Sequence, residues 1–238
     1  MITDVYLMPR VCPVCGRRLE EKETAMCTAC LIKLPVCREY GPEIFDLRSA
    51  ASNASAPCGM VNAWFHYDPS SPYAELIRAA KYHDRPSLAF EMGRLFACEL
   101  KRRQPYYTEA GQMHIYDIDV LLPMPMHKFK RIRRGYNQAE EIARGMAREL
   151  GIPLADNLVA VKPHRTQTRL SYRRRTANLR GTMDVDDAHE LRGMNVAVVD
   201  DIITTGSSMT EAAVSLSWAM PDIASISFLA LGLTRNKN

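Results

Sequence analysis

Residues 196–208 read VAVVDDIITTGSS, an apolar run that meets two aspartates and then a loop of glycine and hydroxyls. The small apolar residues predict a buried strand over 195–199 that ends in the carboxylates of Asp200 and Asp201. A helical pattern follows from about Met209. Such a strand-loop-helix unit offers backbone N–H groups and a helix N-terminus to an anion. Thr204, Thr205, Ser207 and Ser208 add hydroxyl donors, and Gly206 lets the backbone approach a phosphate closely. Carboxylates beside a phosphate cradle repel the phosphate itself. They make sense as acceptors for the vicinal hydroxyls of a ribose, or as holders of a divalent cation. A Walker-type phosphate loop fits less well, because no Gly-Lys-Ser/Thr ends the run.

Outward from this unit, strands and helices take turns. Val61–Tyr67 alternates loosely like an edge strand, and Ser71-Pro72 opens a helix over Tyr73–Tyr82. A second helix, about Ser87–Arg103, sets Leu88, Met92, Leu95 and Phe96 on one face. Ile118–Leu122 is a short apolar strand. Asn137, with Glu140 three residues on, caps a helix whose Ile142, Ala143, Met146 and Leu150 face inward. Thr210–Met220 is the next helix and Ile223–Leu231 the final strand. This order predicts an α/β domain with a mostly parallel sheet flanked by helices. Ligands of such sheets sit at the carboxyl ends of the strands.

The front of the chain is different. Cys12-x2-Cys15 and Cys27-x2-Cys30 are separated by eleven residues, and Pro13 and Gly16 supply the tight turn of the first knuckle. Two such pairs bring four thiolates to one tetrahedral centre, which suits zinc. Four cysteines leave no open coordination position, so the metal is expected to be structural. Local apolar content is thin, so metal would supply the folding free energy. Two disulfides or four free thiols are the weaker readings in a reducing compartment. Residues 1–36 are therefore expected to form a small four-cysteine zinc-finger module, 37–59 a linker containing SAASNASAPCG, and 60–238 the α/β domain. Cys98 reads as core. Cys37 and Cys58 have no partner at useful spacing.

Charge is concentrated. Residues 120–139 hold no acid and five bases (Lys128, Lys130, Arg131, Arg133, Arg134), and 157–183 no acid and seven, including Arg173, Arg174 and Arg175. Those twelve positive charges stand against a net charge of +4, so the remainder is acidic and a polyanionic ligand or partner is implied. The first basic run follows Pro123, Met124 and Pro125, which restrict the backbone. Lys128, Arg131 and Arg134 could then clamp a pyrophosphate in a mobile lid. No apolar run reaches the roughly 20 residues of a membrane helix. The start MITDVYLMPR shows no secretory signal, so a cytoplasmic protein without membrane insertion is expected.

Residues 196–208 resemble the phosphoribosyl pyrophosphate (PRPP) loop of type I phosphoribosyltransferases. The wider chain resembles the ComF family, competence-associated relatives of those enzymes. The matching segments are CPVCG…CTAC, YAELIRAAKYHDRPSLAFEMGRLFA, DVLLPMPMHKFKRIRRGYNQAEEIA, QTRLS and VVDDIITTGSSM. The resemblance implies that Asp200 and Asp201 bind ribose, that Thr204–Ser208 bind the 5′-phosphate, and that Pro123–His127 form a pyrophosphate loop. It implies Mg²⁺ with PRPP, zinc on the four cysteines, and a role in DNA uptake or processing, with single-stranded DNA and uptake machinery as partners. Arg173, Arg174 and Arg175 are the candidate nucleic-acid contacts. A phosphoribosyltransferase of nucleotide metabolism and a PRPP-sensing regulator without turnover are the alternative readings. Two departures stand out. Only Cys37 and Cys58 occur where many relatives carry further paired cysteines, which argues against a second metal centre, and KPHR precedes QTRLS. Lys81 of AAKYHD lies in a family block whose role the resemblance leaves as a guess, contact with a phosphate.

Overall fold

The computed structural model describes residues 10–37, 56–82, 85–103, 106–108, 111–160 and 182–234. Among these residues, four parallel strands form the main sheet in the order β1 (Cys58–Tyr67), β8 (Ser225–Thr234), β7 (Asn195–Ile203), β4 (Val120–Pro123). Their continuous apolar runs are what a sheet covered on both faces requires. Alternate residues divide between two cores. Ala197, Val199, Leu229 and Leu231 face one side, while Val196, Val198, Phe228 and Ala230 face the other.

The first face is covered by α2 (Ala74–Tyr82), α3 (Pro86–Arg102) and α5 (Gln138–Leu150), the last two burying Met92 and Phe96 against Ile142 and Met146. The opposite face is covered by α6 (Ser207–Ala219), through Met209, Ala212, Ala213 and Leu216. Helices on both faces of a parallel sheet give the α/β, type I phosphoribosyltransferase-like architecture expected from the sequence. Two small antiparallel pairs accompany it: β2 (Tyr106–Thr108) with β3 (Gly111–Met113), and β5 (Leu158–Ala160) with β6 (Met183–Val185).

Two glycines set how closely α3 and α5 approach. A Cβ at Gly93 would stand 2.1 Å from the Ile142 carbonyl oxygen, and one at Gly145 would stand 1.9 Å from that of Phe90. No side chain larger than hydrogen fits at either crossing point without moving the backbones apart.

The N-terminal segment joins the same body. Cys12, Leu19, Ala25, Met26 and Leu34 belong to the apolar cluster that holds Met60, Trp64 and Phe96. A short helix, α1 (Thr28–Ile32), follows the second cysteine knuckle. Val36 then bridges Phe65 in antiparallel sense, with Cys37 N–H donating to the Trp64 carbonyl at 2.9 Å. The outer side of β1, which stands at the edge of the described sheet, is in this way partly covered.

Three local features differ from the expected ones for physical reasons. β7 continues to Ile203, because Ile202 and Ile203 pair with Gly232 and Leu233 of the long β8. Asp200 and Asp201 therefore lie within the strand and not after it. Residues 128–134 form a helix, α4 (Lys128–Arg134), capped at His127 and closed by Gly135 at φ +81°. It buries none of its residues, so it leaves no apolar period to read. Asn137 does cap α5, accepting from Ala139 N–H at 3.2 Å, but Glu140 turns to Arg131 and Arg144 and does not complete a capping box. Among the described residues no helix is long and apolar enough to cross a membrane.

Candidate functional site

The carboxyl ends of β4 and β7 lie side by side, with Met124 N–H donating to the Val199 carbonyl at 2.7 Å. Asp200 and Asp201 follow Val199. Both are half-buried, and Asp201 N–H donates to Asp200 Oδ1 at 2.8 Å. Burial first, and then the Asp201 charge, push the Asp200 carboxyl up to about 7. The Asp201 N–H and Lys81 work in the opposite sense.

The third member of this group comes from 120 residues earlier. Lys81, in the last turn of α2, sets its ammonium 2.8 Å from Asp201 Oδ2, with side chains 21% and 16% exposed. Burial works against the lysine charge. The charge and hydrogen bond of Asp201, aided by Asp200, outweigh it and hold the ammonium above its ordinary range. The end of α2 is fixed from the other side as well, since the Tyr136 hydroxyl donates to the Ala80 carbonyl. Asn137 Nδ2 in turn donates to the Met124 carbonyl at 3.0 Å, joining the start of α5 to the end of β4.

Beyond Ile203 the chain makes the Thr204–Thr205–Gly206 turn into α6. Gly206 sits at φ +73° as the N-cap, a backbone that favours glycine. The Thr205 and Ser207 hydroxyls lie 2.7 Å apart, and Thr210 N–H and Oγ1 both donate to the Gly206 carbonyl. No acid occupies the first turn of α6, so its free N–H groups meet no negative side chain there. The loop joins the acidic pair directly to a thirteen-residue helix.

The cations opposite come from α4. Lys130 is held below its ordinary range by burial and then by the charges of Arg134, Lys81 and Arg133. Arg134 donates to Gln138 Oε1 at 2.8 Å, and Gln138 Nε2 is buried with no hydrogen-bond partner. Of the basic residues singled out from the sequence, Arg134 belongs to this group, Arg131 is drawn to Glu140 at 3.3 Å, and Lys128 is exposed. Pro123 ends β4, Met124 is buried and Pro125 half-buried. Arg173, Arg174 and Arg175 lie outside the described residues. Sequence reading gave Lys81 only a guessed phosphate contact, counted Lys130 within the basic run without choosing it, and did not single out Gln138. The one local signal for Lys81 is a basic residue closing an amphipathic helix, which by itself names no partner.

A second centre lies at the N-terminal end. The thiols of Cys12, Cys15, Cys27 and Cys30 all lie within 4.8 Å of one another, and Cys15 and Cys27 stand 3.8 Å apart. Four sulfurs at about 2.3 Å from a tetrahedral zinc are separated by about 3.8 Å, so the donor set fits that ion. Burial works against a Cys27 thiolate. Hydrogen bonds from the Cys30 backbone, Cys30, Arg17 and Cys15 outweigh it and bring the thiol below its ordinary range. Behind the sulfurs stands Glu23, which accepts from Glu20 N–H at 2.9 Å, from Thr28 N–H and Oγ1 at 2.7 and 2.9 Å, and from Arg17 at 2.6 Å. Those two backbone N–H groups lead in holding its carboxyl down to about 2. Cys37, by contrast, pairs with His66 Nδ1 at 3.5 Å.

A phosphoribosyl transferase domain model matches residues 137–229, which takes in α5, both acids and the 204–208 loop. Competence protein F of Haemophilus influenzae is 28% identical over 212 residues, covering 84% of this chain and 87% of its own length. DNA utilization protein YhgH of Escherichia coli K12 is 26% identical over 215 residues, covering 87% and 90%. The solved allosteric regulatory enzyme of purine biosynthesis aligns at 17% identity over 60% of this chain, which spans about a quarter of that enzyme's length. The TM-score of that alignment is 0.37. The chain is thus similar over most of its length to competence protein F, matches a phosphoribosyl transferase domain over 137–229, and gathers four cysteines at its N-terminal end.

Proposed function

We propose that the C-terminal edge of the sheet binds PRPP together with Mg²⁺, and that the protein uses this site in DNA uptake or processing. The observation that carries the reading is the junction of the Asp200–Asp201 pair with the 204–208 loop and the start of α6. Asp200 and Asp201 would accept hydrogen bonds from the ribose 2- and 3-hydroxyls. Thr204, Thr205, Gly206, Ser207 and Ser208, with the α6 N-terminus, would hold the 5′-phosphate. Lys130 and Arg134 would face the diphosphate, which Mg²⁺ partly neutralises. If a nucleophile is also bound, these groups would position the sugar and stabilise the leaving diphosphate.

The place in DNA uptake draws on the relatives named competence protein F and DNA utilization protein. The four cysteines would hold structural zinc, and the metal would be part of the fold and take no part in the chemistry. The decisive experiment is calorimetric titration of PRPP with Mg²⁺ into the wild type and into Asp200→Asn/Asp201→Asn. Binding to the wild type that the double variant loses supports the site. Absence of binding to the wild type, or equal binding to both, overturns it.

A further inference from the structure

Asp201 does not present an open charge to a ligand. The Lys81 ammonium already holds its Oδ2 at 2.8 Å, at a depth where an ion pair is not a solvated surface contact. Lys81 also faces the basic group, since it and Arg134 both repel the Lys130 charge. It therefore sits between the acids of β7 and the cations of α4. For sugar hydroxyls to reach Asp201 Oδ2, the ammonium has to give way. A lysine displaced into a half-buried, already cationic space needs a new anion.

We propose that Lys81 is a specificity-determining residue of the phosphoribosyl site. In the free protein it neutralises Asp201, and in the complex it passes to the anionic group on the sugar's anomeric carbon. The inference rests on the phosphoribosyl reading above. It makes the site selective for a phosphoribosyl diphosphate over a phosphorylated sugar with a bare anomeric hydroxyl. The second ligand displaces the lysine and offers it nothing.

The test is calorimetric titration of two probes, PRPP with Mg²⁺ and ribose 5-phosphate, into the full chain as wild type, Lys81→Met and Lys81→Arg. Loss of one charge-assisted contact lowers PRPP affinity about 10–100-fold in Lys81→Met. Ribose 5-phosphate affinity stays level or rises, because no ammonium then has to leave Asp201. Lys81→Arg keeps the charge and the preference for PRPP. If Lys81→Met does not fold, Lys81→Gln replaces it with a polar neutral side chain of similar reach. Equal loss for both probes, or no loss for PRPP, makes Lys81 a structural ion pair and overturns the inference while leaving the site intact. Failure of the wild type to bind PRPP overturns the site itself, and the inference with it.

Discussion

Replacing Gly145 by alanine sets two elementary effects against each other, and they differ in sign. Within a helix, alanine is favoured over glycine by about 1 kcal/mol, so α5 by itself gains. Against α3 the new methyl has no room, lying 1.9 Å from the Phe90 carbonyl oxygen, 2.9 Å from its carbon and 3.0 Å from Arg94 N. Ordinary contact begins near 3.4 Å, so the two backbones must part by about 1.5 Å at that point. Met92, Phe96, Ile142 and Met146 are fully buried at this interface. At about 1.5–3 kcal/mol each they contribute about 6–12 kcal/mol of burial. A gap of even 0.5–1 Å forfeits about a quarter of the dispersion well. A loss of about 2–3 kcal/mol, less the helical gain, leaves Gly145→Ala about 1–2 kcal/mol less stable. For a chain of this length that is a fall of about 2–8 °C in Tm. Urea denaturation followed by circular dichroism measures it, with Gly151→Ala as the control. Gly151 is left-handed at φ +73° with nothing within 4 Å, so its cost is backbone strain alone. A midpoint for Gly145→Ala at or above the wild type would refute the packing argument outright.

The other predictions concern the two centres. Glu23→Ala leaves the Glu20 and Thr28 N–H groups and Arg17 without their shared acceptor, so zinc affinity should fall about 10–100-fold, measured by competition with a chromophoric chelator. Stripping the metal should red-shift Trp64 emission, because Trp64 shares its apolar cluster with Cys12, Leu19 and Met26; an unchanged spectrum after complete removal would contradict a structural role. The Asp200 carboxyl, pushed up to about 7 in the folded chain, contributes stability that is fully present at acid pH and is lost as pH rises through that value. Asp200→Asn should therefore gain in Tm over the wild type as pH rises from about 4 to about 7 and hold that gain above it, and a pH-independent difference would count against the burial of that charge. Arg173→Ala/Arg174→Ala/Arg175→Ala should weaken binding of single-stranded DNA and flatten its salt dependence by about two units of slope; an unchanged slope removes that stretch from the interface.

What was legible in the sequence is what is local. β7 could be read because its core residues are small, apolar and buried on both faces, and the four cysteines because a metal knuckle needs only neighbours two residues apart. The end of β7 could not be read, since the strand stops where β8 stops pairing with it, at Ile203 opposite Leu233. Helix α4 was hidden for a different reason. KFKRIRR leaves Phe129 and Ile132 exposed and has no buried face, so its helix rests on the His127 and Gly135 caps. The least legible contact is Lys81 with Asp201. It joins elements 120 residues apart, and neither local sequence names the other.

The charge layout of the site carries an argument about what can fill it. A neutral sugar would satisfy Asp200 and Asp201 but free Lys81 into a space that already holds Lys130 and Arg134. Inorganic phosphate or diphosphate would meet the cations and the α6 N-terminus, yet would set its charge against two half-buried carboxylates. In either case buried charge is left unmatched, and the penalty for that exceeds what a single good contact returns. A ligand that suits both halves carries vicinal hydroxyls in the middle and an anion at each end. Those ends must lie on opposite sides of the sugar, because the 204–208 loop follows the acids in the chain while Lys81 and α4 reach them from other elements. On the proposed phosphoribosyl reading, the sheet edge would select by the order of groups along the ligand. For that reason a ligand with an anion at one end only, such as ribose 1-phosphate, should bind far less tightly than PRPP even though it offers the same hydroxyls.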